Sequence, residues 1–230
     1  MCSIVRLNTG AVIPAYNVGE KLQNVLSKTA KYIVRRHIIV VDDGSADNTA
    51  SIAREFGVCL ISHGFNRGKG AALLSGFSAA VSLKLDAVIT LDGDGQHDPD
   101  RIPHFIREYE SSQADLVLGK RPFRIGKMPF DRILSNRISS FIVSVASGQS
   151  VADSQCGYRL LRVQMINALN LKSNGYELES ELLIRALRRG FRLAYCPVPA
   201  VYNGAESHIR RSRDIMRFCR MILHLFGERN

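Results

Sequence analysis

The run His37-Ile38-Ile39-Val40-Val41 constrains this chain more than any other segment. Its four aliphatic residues are β-branched and uninterrupted, so neither face of the strand is polar. That suits a strand covered on both sides within a parallel sheet. Covering both sides takes helices on both faces, which requires strands and helices to alternate along the chain.

They do alternate. Residues 12–14 close a short apolar run, and Leu22, Val25, Leu26, Ala30, Ile33 and Val34 follow at helical spacing. After the 37–41 strand, a helix is expected from a cap near Asp47 to a stop at Gly57. Residues 58–62 read as a strand, 69–83 as an Ala-rich helix and 86–91 as a third apolar run. Asp98-Pro99 opens a helix through Glu110, and 115–119 supply another strand. The expected fold class is therefore α/β, a doubly wound, mostly parallel sheet with right-handed crossovers. Beyond Gly119 the pattern loosens into basic loops, with helices expected near 132–146 and 177–189 and a short strand at 192–195. This half is expected to complete a site over the sheet edge.

At 230 residues the chain suits one domain. The reading divides it into a catalytic domain, 1–206, and a basic amphipathic C-terminal helix, 207–230. The cysteines, Cys2, Cys59, Cys156, Cys196 and Cys219, are odd in number, scattered and free of any C-x-x-C pair. They favour neither a disulfide framework nor a zinc site, and fit a reducing cytosolic setting. The first residues lack the apolar core of a signal peptide, and no stretch of about 18 uncharged apolar residues is present to span a bilayer. Lys and Arg number 31 against 21 Asp and Glu, a net charge of +10, with the excess mostly after position 100. An anionic partner is implied: nucleic acid, lipid headgroups or a phosphorylated substrate.

In an open α/β sheet ligands bind beyond the carboxyl ends of the strands, so the residues that end strands are the informative ones. Asp42-Asp43-Gly44-Ser45 directly follows Val41, and at least one carboxylate is expected to project into the crevice and accept hydrogen bonds from a base or ribose. Taken alone, the same residues would make an ordinary turn with a helix cap nearby. Asp92-Gly93-Asp94-Gly95-Gln96-His97 sets two carboxylates at alternate positions, an arrangement that lets both reach one hard cation, Mg2+ or Mn2+, sharing its shell with substrate phosphates. An EF-hand is excluded, because no suitable glycine and acidic residue follow. Asn66-Arg67-Gly68-Lys69-Gly70 opens a helix whose free N–H groups suit an anion, and it is not a Walker loop.

Taken together, Ile13-Pro14-Ala15-Tyr16-Asn17, Val41-Asp42-Asp43-Gly44-Ser45, Asn66-Arg67-Gly68-Lys69-Gly70 and Asp92-Gly93-Asp94-Gly95-Gln96-His97 resemble family 2 glycosyltransferases. Asp153-Ser154-Gln155-Cys156-Gly157-Tyr158-Arg159 and Glu206-Ser207-His208 resemble stretches of the polyprenyl-phosphate sugar transferases within that family. The resemblance implies a GT-A fold with its nucleotide-sugar site at the strand C-terminal ends, and inversion at the anomeric carbon. It implies a donor held by Pro14, Ala15, Tyr16, Asp43, Lys69, Asp92 and Gly93, and a Mg2+ or Mn2+ at Asp92, Asp94 and Gln96. Asp94 and Asp153 are the catalytic candidates. The chain departs from the family where Val18 stands in place of a common Glu, with Glu20 nearby.

The expected reaction moves a hexose from a UDP- or GDP-sugar to a polyprenyl, dolichyl-type phosphate. Such an acceptor is already anionic and needs no base, so Asp153 reads equally as a base or as a residue that orients its loop. A phosphate acceptor demands cations, and Arg121, Arg132, Arg137 and His208 are the candidates. Residues 207–226 alternate Arg with apolar side chains, as in a helix lying in a membrane interface; docking on the protein core is the rival. Glu177, Glu179 and Glu181 sit where a helix dipole favours negative charge in any protein, and no catalytic role is assigned to them. Two other readings compete: a family 2 enzyme with another lipid, glycan or protein acceptor, and a basic noncatalytic nucleic-acid-binding module. Paired carboxylates at strand ends would repel the latter's ligand.

Overall fold

A computed structural model describes residues 7–122, 130–199 and 211–228, without the side chains of 130–132 and 211–212. Among these residues seven strands form one sheet: β1 (Thr9–Ala15), β2 (Ile38–Asp42), β3 (Cys59–Ser62), β4 (Ala87–Thr90), β5 (Leu116–Lys120), β6 (Arg159–Arg162) and β7 (Leu193–Pro197). Their order is β3-β2-β1-β4-β6-β5-β7. The helices are α1 (Gly19–Thr29), α2 (Thr49–Phe56), α3 (Lys69–Ser82), α4 (Ile102–Ser112), α5 (Phe130–Ser147), α6 (Val163–Ala168), α7 (Leu178–Arg188) and α8 (Arg211–Gly227). All residues of β2 and β4 are buried, as expected for strands covered on both faces.

The alternation read from the sequence holds through β5 with small shifts of boundary. Gly57 ends α2 in the left-handed region. Asp98 caps a 3-10 turn, Pro99–Arg101, ahead of α4.

Two elements were not expected, β6 and α6. β6 is inserted between β4 and β5 and runs antiparallel to both, so β5 does not simply continue the parallel series. β6 is short and begins and ends in arginine, a pattern that reads as loop. It can be buried because the Arg159 guanidinium donates to the carbonyls of Ser154, Cys156 and Glu179 at 2.7 to 2.8 Å. A charge so surrounded by acceptors avoids most of the penalty of leaving water.

α8 is docked along its second half. Met221, Ile222 and Leu225 are buried, and Arg188 of α7 donates to the carbonyls of Ala146 and Leu225, tying α5, α7 and α8 together. Lys172 and Arg185 hold Glu228 at 2.7 and 2.9 Å. Ile215, Met216 and Leu223 stay exposed. No helix of the described residues is long and apolar enough to cross a membrane. Cys59, Cys156, Cys196 and Cys219 are free thiols.

Candidate active site at the carboxyl edge of the sheet

β2, β1 and β4 lie side by side and point the same way, so the loops that follow them share one edge. Pro14 and Ala15 end β1, Tyr16 opens the loop after it, and this segment is stitched to the loop after β2. Ala15 O accepts from Asp43 N at 2.8 Å, Ser45 Oγ from Asn17 N at 2.9 Å, and Asn17 Oδ1 from Ala46 N at 2.9 Å. Thr49 Oγ1 accepts from both Val18 N and Gly19 N at 3.0 Å. Val18 lies over Gly93, its Cγ2 3.3 Å from where a side chain there would begin, closer than ordinary van der Waals contact, and Glu20 is exposed at the start of α1.

The strand-end carboxylates of β2 turn inward rather than into the crevice. Asp42 and Asp43 are 4% and 3% exposed. Asp42 Oδ1 accepts from Ser45 N at 3.2 Å. Asp43 meets His63 Nδ1 at 2.6 Å and accepts from Arg67 N at 3.0 Å and Gly68 N at 2.8 Å. Ala71 N, one turn into α3, donates to Asn174 O at 2.9 Å. The anion gathered by this glycine-rich helix start is therefore the protein's own Asp43, because free amide donors at a helix start take whichever acceptor is nearest. Gly44 makes the arrangement possible. Its φ is +75° and a Cβ there would sit 2.5 Å from the Phe65 carbonyl carbon, so no side chain could let the 65–68 loop come so close.

Fixing that loop aims Lys69, the first residue of α3, across the edge. Its Nζ lies 2.8 Å from Asp92 Oδ1 beyond β4 and 3.5 Å from Glu179 Oε2 on α7. Burial opposes the charge on both Lys69 and Asp92, but their attraction prevails, aided at Lys69 by Glu179 and at Asp92 by Arg159. The ammonium is held protonated more firmly than usual and the Asp92 carboxyl is lowered to about 2. Burial lowers His97, and its Nδ1 accepts from Asp92 N at 3.1 Å, the pattern of a neutral ring. The 3.7 Å approach of the same nitrogen to Asp92 Oδ2 is too long to be its bond. His97 stacks on Tyr158, with centroids 5.1 Å apart. Gly157 leaves the space in which these groups meet: a Cβ there would lie 3.0 Å from Lys69 Nζ and 3.1 Å from Glu179 Oε1.

The structure thus brings Lys69, Asp92, His97, Glu179 and the guanidinium of Arg159 together. Glu179, His97 and Arg159 were assigned no site role from the sequence. Glu177 and Glu181 do different work from Glu179. Glu177 accepts from Gly175 N, while Glu181 accepts from Lys172 N and Ser173 N and pairs with Arg185. Only the fold distinguishes the three.

On the acceptor side, Asp153 is fully buried. Its oxygens accept from Arg121 Nε and Nη2 at 2.8 Å and from Asn136 Nδ2 of α5 at 3.0 Å. Arg137 is exposed on α5. Arg132 lies in α5 with its side chain outside the described residues, and His208, with the rest of Glu206-Ser207-His208, also lies outside them.

Asp92 and Asp94 offer hard carboxylate oxygens, and Asp94 Oδ1 accepts from Gln96 N at 2.9 Å. The Lys69 ammonium on Asp92 marks a place where positive charge is stabilised. Among the described residues no three His, Cys, Asp or Glu side chains gather as a complete ion cage. That donor set fits a Mg2+ or Mn2+ whose remaining ligands are substrate phosphates and water.

A family model described as "Glycosyl transferase family 2" matches residues 11–169. The UDP-N-acetylglucosamine–dolichyl-phosphate N-acetylglucosaminyltransferase of Methanococcus voltae is 31% identical over 227 residues, covering 89% of each chain. The undecaprenyl-phosphate mannosyltransferase of Micrococcus luteus is 28% identical over 201 residues, 83% of this chain and 82% of that one. Among solved structures, glucosyl-3-phosphoglycerate synthase from Mycobacterium tuberculosis, in complex with Mn2+, UDP and phosphoglyceric acid, superposes with a TM-score of 0.72 at 18% identity. That match covers 97% of this chain and 78% of the other. The likeness shows the fold, which is GT-A.

Proposed function

The chain belongs to glycosyl transferase family 2, and from that membership we propose that it transfers a hexose from a UDP- or GDP-sugar to a polyprenyl phosphate with the help of Mg2+ or Mn2+. The observation that carries the reading is the meeting of Lys69 with Asp92 and Glu179 at the carboxyl edge of the sheet, where a diphosphate would lie. Asp92, Asp94 and Gln96 would hold the ion, which when bound neutralises charge on the departing nucleoside diphosphate.

This chain's own residues do the rest. Pro14 and Ala15 at the end of β1 and Tyr16 just beyond it form the nucleotide's bed, with Gly93 beside them. Asp43 acts one step back, holding the 66–68 loop and so the direction of Lys69. Lys69 stays an ammonium and meets the diphosphate oxygens. A phosphate oxygen of the acceptor attacks the anomeric carbon as the bond to the nucleoside diphosphate breaks on the opposite face, inverting that centre. The nucleophile carries no proton to be removed, so Asp153 serves as a positioning residue: it fixes Arg121 and Asn136 beside the route by which an anionic acceptor arrives.

The test is thermal stabilisation by UDP- and GDP-sugars with Mn2+, Mg2+ or chelator, followed by transfer of labelled sugar to a polyprenyl phosphate. Stabilisation that needs the metal, and transfer to the phosphate, are expected. A chain stabilised by no nucleotide sugar loses the donor reading. Transfer only to non-phosphorylated acceptors replaces the acceptor reading.

A further inference from the structure

α5 buries Ile133, Val143 and Ala146, yet carries a second apolar stripe that faces outward. On an ideal helix Leu134, Ile138, Phe141 and Val145 fall within an arc about 60° wide, by 3.6 residues per turn. They are 49%, 51%, 70% and 52% exposed. The opposite face is buried and much of it is polar: Asn136 donates to Asp153, Ser140 Oγ accepts from Ser154 N at 2.9 Å, and Ser144 Oγ accepts from Val151 N at 2.9 Å. These bonds, with the burial of Ile133 and Val143, fix the helix's rotation, so the outward turn of Leu134, Ile138, Phe141 and Val145 is imposed by the fold. A surface helix of a water-facing protein shows the reverse arrangement. A stripe of this kind marks a contact surface.

We propose that this stripe of α5 rests on the surface of a lipid bilayer bearing anionic headgroups. Charge selects that occupant. Arg137 is the only charged side chain described on α5, and it flanks the stripe. α8, which touches α5, exposes Arg213, Arg217 and Arg220 beside Ile215, Met216 and Leu223. Apolar side chains in one stripe with arginines around them are what the boundary between acyl chains and anionic headgroups accepts. The contact faces outward from the same helix whose Asn136 reaches Asp153, so seating α5 on the bilayer brings the acceptor side of the site to the surface where a lipid-linked phosphate resides. This inference rests on the acceptor class proposed above.

The experiment uses the full chain and vesicles of phosphatidylcholine with or without an equal part of phosphatidylglycerol, and no polyprenyl phosphate. Binding is read by co-sedimentation for the unaltered protein and for Ile138→Glu/Phe141→Glu. Both positions are exposed, so the melting temperature should hold; if it falls, Phe141→Ser replaces the double variant. The unaltered chain should bind the anionic vesicles, and the variant should lose at least roughly tenfold in partition, as expected when two inserted side chains become acidic. Equal binding by the two proteins overturns the proposal. So does an unaltered chain that ignores vesicles and sediments as a dimer which the variant converts to monomer, since a second copy would then cover the stripe. Vesicle binding that depends on the stripe, in a protein that moves no sugar to any phosphate, supports this surface and overturns only the acceptor reading.

Discussion

Asp92 is paired with Lys69 and is also a proposed ligand of the metal ion, and its behaviour separates the two roles. In the structure Lys69 holds it. The folded carboxyl, lowered to about 2, lies below its unfolded value, so its contribution to stability is present above about pH 4 and is lost as pH falls from there toward 2. Asp92→Asn should flatten that part of the acid limb in urea melts recorded across the window. Lys69→Met should strengthen Mn2+ binding at Asp92 by roughly tenfold, because a like charge is removed nearby, while weakening donor affinity; calorimetry with Mn2+ alone and then with donor reads both. Unchanged Mn2+ binding would place the ion away from Asp92. Asp92→Ala or Asp94→Ala should cost at least about a hundredfold in transfer with the fold intact, since each lies at a strand end. At this scale the sequence showed the two acidic motifs and Lys69 but not their partners. Glu179 is one of three glutamates at a helix start, and nothing local sets it apart; Gly157 and the close approach of residues 174–175 to the start of α3 bring it to Lys69. The inward turn of Asp43 was equally hidden, because it depends on the 65–68 loop folding back over Gly44.

At the scale of elements, strands buried on both faces and helices with a regular apolar face were legible, and those without were not. β6 was missed because a four-residue strand framed by arginines has no periodicity to display; its burial is made possible by three carbonyls contributed from elsewhere. α5 was located, but its rotation was not, since serines and an asparagine turn inward where apolar residues usually would. Asp153 is central to that rotation. Asp153→Ala should lower stability by about 3–5 kcal/mol, the usual cost of removing one partner of a buried ion pair. Asp153→Asn should cost less and leave the pH profile of transfer to a soluble phosphate acceptor unchanged. A lost titration in that profile would restore the role of base. The two faces of α8 are separable in the same way. Leu225→Ala should destabilise by about 2–4 kcal/mol through the cavity it leaves, whereas Leu223→Ala should stay within about 0.5 kcal/mol. Deleting α8 outright would remove Met221, Ile222 and Leu225 and lay bare the core surface they cover, and so confound surface binding with unfolding.

For the whole molecule, the net charge of +10 and the α5 stripe predict different responses to salt. Attraction between exposed arginines and anionic headgroups is screened once the Debye length falls from about 10 Å at 0.1 M to about 3 Å at 1 M. Burial of Leu134, Ile138, Phe141 and Val145 is not screened, and excluded salts strengthen it. Anionic vesicle binding should therefore fall with added salt to a plateau set by the stripe. In Ile138→Glu/Phe141→Glu it should fall without a plateau, because charge alone remains. A chain recruited only by its charge would behave as nucleic-acid binders do, with affinity declining steadily on a logarithmic scale and by the number of ionic contacts. Measuring co-sedimentation of the two proteins over the same salt series decides between these cases. Matching steep declines would assign the surface to electrostatics and leave the stripe idle. A plateau seen only with the intact stripe means that the fold orients the protein on the bilayer while its charge brings it there.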